Sequence, residues 1–129
     1  MRVLGLAIGF VTVIAAHAAA ADARFERSLL MLAPSERLEQ LCDYTAMTHI
    51  RADERHFRPD RAVANAMKEV IHKNHTIVAR GGAFRSRGKW YEMSYTCTAE
   101  PQHLKVESFN YKIGGEIPQA KWASYGLWQ

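Results

Sequence analysis

From Glu36 to Arg51, the positions Leu38, Leu41, Cys42, Thr45, Ala46 and Ile50 recur at intervals of three and four. That is the period of a helix with one face turned inward. Ser35 stands where a cap belongs, and Glu36 suits the positive end of the helix. Cys42 falls on the inward face. Ahead of this helix, Phe25 to Leu32 is a short apolar patch closed by Pro34, expected as a loosely packed leading segment. Behind it, the charged run Arg51 to Arg58 holds Phe57 as its apolar anchor and reads as a fraying end followed by a surface loop. Pro59-Asp60 then restarts a helix, in which Val63, Ala66, Met67, Val70 and Ile71 make a second stripe and His72 to His75 close it.

At Thr76 the period changes to alternation. Ile77-Val78-Ala79 predicts a strand, Gly81-Gly82 a bend or bulge within it, and Ala83-Phe84-Arg85 its continuation. Ser86-Arg87-Gly88-Lys89 is the turn. In the next strand Tyr91, Met93, Tyr95 and Cys97 share one face, and Trp90, Glu92, Ser94, Thr96 and Thr98 the other. A turn at Glu100 to His103 leads to Leu104-Lys105-Val106 and Phe109 to Ile113. The apolar positions change parity between Val106 and Phe109, which predicts a bulge or a strand covered on both faces. Gly114-Gly115 ends it. Pro118 opens a short helical turn from which Trp122, Tyr125 and Leu127 can fold back over the sheet. The fold class is α+β: two N-terminal helices on a small antiparallel meander of about three strands, with a short C-terminal helical turn and one disulfide.

The first residues change the picture of where this domain works. Met1-Arg2 is a positive start, Val3 to Ala16 is almost wholly apolar, and His17 to Ala23 is a tail of small residues. This order predicts a secretory signal peptide, residues 1–21, cleaved after Ala21 with Ala18 the next choice. Its apolar core of 14 residues falls short of the roughly 20 that span a bilayer. An uncleaved anchor is the competing reading. Cleavage leaves one exported domain, residues 22–129, and lowers the formal net charge from +4 to +3. That charge suits anionic surfaces without making a polybasic tail. Cys42 and Cys97 both lie in the exported part, so an oxidising compartment makes a disulfide between them the leading expectation. In the chain-entropy account such a bridge stabilises by about 4 kcal/mol.

The stretches "ERLEQLCDYTAM", "FRPDRAVANAM", "GAFRSRGKWYEMSYTC" and "IPQAKWASYGL", in this order, resemble an exported bacterial family known as domain of unknown function 930. The resemblance runs from about Glu36 to Leu127 and implies an exported α+β domain with paired cysteines from Gram-negative bacteria. It implies no activity, and so it carries over no catalytic residue.

The chemistry points the same way. His72 and His75 stand three apart without the converging ligands that zinc needs, and are expected as solvated or helix-capping side chains. Ser86, Ser94 and Ser108 lack the Gly-x-Ser-x-Gly elbow, the carboxylates are scattered, and the glycine pairs lack a phosphate-cradling pattern. No catalytic residue, metal ligand or cofactor is expected. The densest candidate is the basic hairpin, where Arg80, Arg85, Arg87 and Lys89 lie near Phe84 and Trp90. An arginine fork beside an aromatic suits phosphate, carboxylate or acidic sugars, which makes Arg85, Arg87, Lys89 and Trp90 the predicted binding residues. The same residues also fit a purely structural hairpin, in which charge blunts a sheet edge and Trp90 packs against the terminal turn.

These readings predict a non-catalytic binding or structural module of the cell envelope, periplasmic or secreted, whose partner is an envelope protein or an anionic glycan. Export argues against nucleic acid. The alternatives are a cell-envelope enzyme acting on cell-wall or polysaccharide substrates, or a hydrolase inhibitor.

Overall fold

The computed structural model describes residues 23–129, and the signal-peptide reading of residues 1–21 lies outside the described residues. Two helices come first. Residues 23–30 form α1, which sets Leu29 into the core at 1% exposure. The leading segment is therefore packed, a correction to its sequence-based reading. A tight turn, with Leu32 N–H donating to Leu29 O at 3.0 Å, leads into α2, Pro34–Asp53. Its cap also departs from expectation: Ala33 holds the N-cap without a side-chain bond, and Pro34 supplies the first helical residue. Proline suits that place because its missing N–H would have no partner there. The inward face holds Leu38, Leu41, Cys42, Ala46 and Ile50, all buried.

The second predicted helix is absent. Its residues form β1 (Pro59–Val63), a looped crossing over residues 64–70, and β2 (Ile71–Lys73). Three long strands follow, β3 (Thr76–Ser86), β4 (Lys89–Ala99) and β5 (Val106–Glu116). They make a five-stranded antiparallel sheet in place of a three-stranded meander, in the order β1-β3-β4-β5, with β2 also paired to β3. β1 and β2 therefore share one edge of β3. β1 pairs with Ala83 to Ser86 and β2 with Thr76 to Val78. Pairing the backbone of this long edge outweighs a helical spacing whose apolar residues serve two different cores. Val70 packs into the core beneath α2, whereas Val63, Ala66 and Met67 pack on the other side of the sheet.

The β3–β4 turn has two residues, Arg87 at φ 52° and Gly88 at φ 77°, the left-handed pair that matches the twist of an antiparallel hairpin. At Gly81-Gly82 the β3–β4 register shifts, giving the expected bulge. A second shift, between Thr98 and Ala99, accounts for the change of parity in β5.

The main core lies between α2 and the inner face of the sheet, around Ile77, Phe84, Met93 and Tyr95. Cys42 and Cys97 form the predicted disulfide, fully buried with Cα atoms 6.0 Å apart, and it ties α2 to β4. Among the described residues, three hydrogen bonds between side chains dock the same helix. Tyr95 donates its hydroxyl to Asp43 Oδ1 at 2.8 Å, Tyr111 to Asp53 Oδ2 at 2.7 Å, and His72 Nε2 to Glu39 Oε1 at 2.9 Å. Burial pushes the Asp43 carboxyl up to about 7, against the pull of the Tyr95 hydrogen bond. Burial and the neighbouring Asp43 push the Tyr95 hydroxyl up as well.

On the outer face a smaller cluster closes one end of the sheet. The chain leaves β5 through α3 (Gln119–Trp122) and a 3-10 turn (Ala123–Tyr125), as expected for this tail. Ile117, Trp122 and Leu127 fold back over Trp90 and Ala83.

Candidate functional site

The hairpin residues occupy that closed end. Trp90 is fully buried, and its indole N–H donates to Trp128 O at 2.7 Å. Arg85 lays its guanidinium 5.9 Å from the Trp90 ring centroid and grips Asp60 side-on, Nε donating to Oδ1 at 3.0 Å and Nη2 to Oδ2 at 2.8 Å. That hydrogen-bonded pair holds the Asp60 carboxyl below the usual carboxylate range and raises Arg85 further. Lys89 stands 3.6 Å from Glu116, with both side chains more than half exposed. Arg87 is exposed at the apex of the turn, and among the described residues it has no carboxylate within ion-pair distance. The four predicted binding residues are thus neighbours along the hairpin, but they do not converge on one open surface.

The other end of the same face is open. Strand alternation brings Val78 and Arg80 of β3, Ser94 and Thr96 of β4, and Asn110 and Lys112 of β5 to this side. The register sets them in rows. Thr98 lies opposite Ser108, Thr96 lies between Val78 and Asn110, and Ser94 lies opposite Lys112. Arg80 falls within the β3 bulge, between the pairs Ala79–Tyr95 and Gly82–Met93, which sets it across from Ser94 on the flank away from Lys112. Two adjoining depressions of about 260 Å³ each share Arg80, Ser94 and Lys112 and form one shallow trough.

The double glycine shapes the rim of the trough. Met67 donates its N–H to Gly81 O at 2.7 Å, and a Cβ on Gly81 would come within 2.7 Å of the Lys68 backbone nitrogen. A Cβ on Gly82 would lie 3.2 Å from Val63 O. Only a residue without a side chain lets the crossing loop settle there, and it sets exposed Lys68 beside the trough. At the end nearer the hairpin, Gly114 makes room for Glu92. A Cβ on Gly114 would lie 2.9 Å from the Glu92 Cβ and 3.0 Å from its Oε2.

The lining therefore carries three cations, Lys68, Arg80 and Lys112, against one carboxylate, Glu92. Among the described residues none of the four enters an ion pair. The tyrosines of these strands point the other way, with the Tyr95 and Tyr111 hydroxyls bound to α2. The arrangement can hold an anion and hydrogen-bond a polar body. Asp43, the carboxyl raised to about 7, belongs to α2 and reaches Tyr95 on the opposite side of the sheet.

The histidines are not helix caps. His72 sits on β2, bonded to Glu39, and His75 lies in the β2–β3 turn. His103 Nδ1 donates to Pro34 O at 2.8 Å, which leaves its Nε2 to accept from His75 Nδ1 at 2.9 Å. Among the described residues no group of three His, Cys, Asp or Glu side chains converges as for a metal.

Sequence reasoning picked out Arg80 as part of the basic cluster but missed Lys68 and Lys112. The alternation Ser108-Asn110-Lys112 was a signal for the second. Lys68 was hidden in the segment read as helix.

No curated protein and no solved structure matches this chain. The chain belongs to the family described as Domain of Unknown Function (DUF930), whose model matches residues 29–127.

Proposed function

We propose that this chain is an exported, non-catalytic binding module of the bacterial cell envelope that contacts an anionic partner through a basic surface. In this reading residues 1–21 are a signal peptide removed after Ala21, and residues 22–129 act in the periplasm or outside the cell. The buried Cys42–Cys97 disulfide supports an oxidising destination. Among the described residues, no helix is long and apolar enough to cross a membrane. Mass spectrometry of the exported chain is expected to find Asp22 at the N-terminus. A full-length chain held in the membrane would overturn the export reading.

The observation that carries the binding surface is the contrast in charge partners. Lys68, Arg80 and Lys112 line an open trough without ion pairs among the described residues, whereas Arg85 is committed to Asp60 and Lys89 faces Glu116. An unpaired cation keeps its full attraction for a ligand; a paired one must first give up its partner. The hairpin residues Arg85, Arg87, Lys89 and Trp90 are the second candidate surface, favoured by the exposed Arg87 at the tip.

Retention on immobilised heparin separates the two. The wild-type domain is expected to elute at higher salt than an Arg80→Ala, Lys112→Ala variant, with Arg85→Ala, Arg87→Ala close to wild type. The reverse ranking would move the site to the hairpin. A wild-type domain that ignores heparin and other polyanions at low salt would sink the binding reading.

A further inference from the structure

We infer that the trough takes a linear glycan bearing acidic groups, with one acid group over Ser94 and the sugar body running along the strands past Thr96 and Asn110. This rests on the proposal that the trough holds an anion, and it names the chemistry of the partner.

Arg80 and Lys112 stand on the two strands that flank β4, at the level of Ser94. Two strand spacings separate their backbones, roughly 9.6 Å, so both long side chains reach one oxyanion held over the Ser94 hydroxyl. Lys68 adds a third charge from the rim. Glu92 lines the trough on the hairpin side of this point and repels an acid group there, so the ligand body extends the other way.

On β4 and β5 the rows in that direction are neutral and polar: Thr96 with Asn110, then Thr98 with Ser108. Towards β3 and β2 the first row runs on to apolar Val78 and Ile71, and the second to Thr76 and Lys73. The polar rows continue for two steps of roughly 6.7 Å along the strands. Thr98 is engaged by Thr76 at 2.8 Å, which leaves Thr96, Asn110 and Ser108 exposed to a ligand. Hydroxyl and amide groups both donate and accept, as sugar hydroxyls do, so each can satisfy the other in either sense. An acidic peptide offers carboxylates that such rows cannot fully use. Single-stranded nucleic acid needs aromatic platforms for its bases. Here the Tyr95 and Tyr111 hydroxyls are bound to α2, and Trp90 is covered. The charge and the polar rows thus complement an acidic polysaccharide best.

The test compares heparin, poly-L-glutamate and oligothymidylate at equal charge concentration, by fluorescence anisotropy on the intact mature domain. Heparin is expected to bind about tenfold more tightly than the other two, the size of one or two net hydrogen bonds. Thr96→Val with Asn110→Leu, which leaves every charge in place, is expected to erase that preference and to leave poly-L-glutamate binding unchanged. Arg80→Ala with Lys112→Ala is expected to weaken all three. Both sites are exposed, and an unchanged circular dichroism spectrum checks folding. If poly-L-glutamate or oligothymidylate matches heparin, or the Thr96, Asn110 variant keeps the preference, the glycan inference is overturned and anion binding stands. If the wild type binds none of the three, anion binding itself fails.

Discussion

The two ends of the outer sheet face are built from the same strands and carry similar numbers of cations, yet they are opposite in character. At the hairpin end Trp90 is buried beneath Ile117, Trp122 and Leu127, and Arg85 is locked to Asp60. At the far end none of the described residues folds over, and Arg80 and Lys112 are exposed on either side of Ser94. Charge density along the chain therefore says little about a binding surface. Whether a carboxylate or an apolar segment comes to meet it decides the matter.

The largest expected effect breaks the closed end. Trp90→Ala removes a fully buried indole and should cost about 3–5 kcal/mol in urea unfolding, whereas Lys112→Ala at the open end should stay within about 0.5 kcal/mol. Similar losses at both would erase the distinction.

Next comes Gly81→Ala, which drives a Cβ into the Lys68 backbone. It should cost about 1–3 kcal/mol and weaken heparin retention by displacing Lys68. Unchanged retention would show that the rim cation does not contribute.

The inner face gives a pH test. The folded protein holds the Asp43 proton to about pH 7, while an unfolded aspartate releases it near 3.8. Between these values the native state binds more protons, so this group's contribution is full at the acid end and is lost as pH rises through about 7. The loss should be about 1–3 kcal/mol, less than the full shift would give because Asp43 remains partly accessible. Asp43→Asn should flatten this fall in urea titrations between pH 4 and 8. An equal slope in wild type and variant would refute the assignment.

Smallest is Asp60→Ala, which frees Arg85. Stability should change by less than about 1 kcal/mol, because the pair is partly exposed. Heparin elution should shift to slightly higher salt as the hairpin gains an unpaired fork.

The strand alternation of β4, the two-residue turn, the double-glycine bulge and the disulfide were all legible, because each depends on neighbours in sequence or on cysteine chemistry alone. The stretch from Pro59 to His75 was not. Its apolar residues at helical intervals are divided between cores on opposite faces of the sheet, and one periodicity cannot report two destinations. The packing of α1 was underread: Phe25, Leu29 and Leu32 recur at helical intervals and all pack on the core, but Pro34 cuts the repeat too short to stand out. For the site, the hairpin drew attention because its cations are adjacent in sequence. The trough is assembled from three strands and a crossing loop, and its members are neighbours only through register.

The Cys42–Cys97 bridge spans 55 positions of sequence and, for a chain exported as proposed, it also sets a timetable. Oxidation is withheld in a reducing compartment, so the newly made chain lacks this contribution while it must still thread through a translocation channel. Release into an oxidising space then closes the helix onto the central strand. One covalent bond makes completion of the fold coincide with arrival.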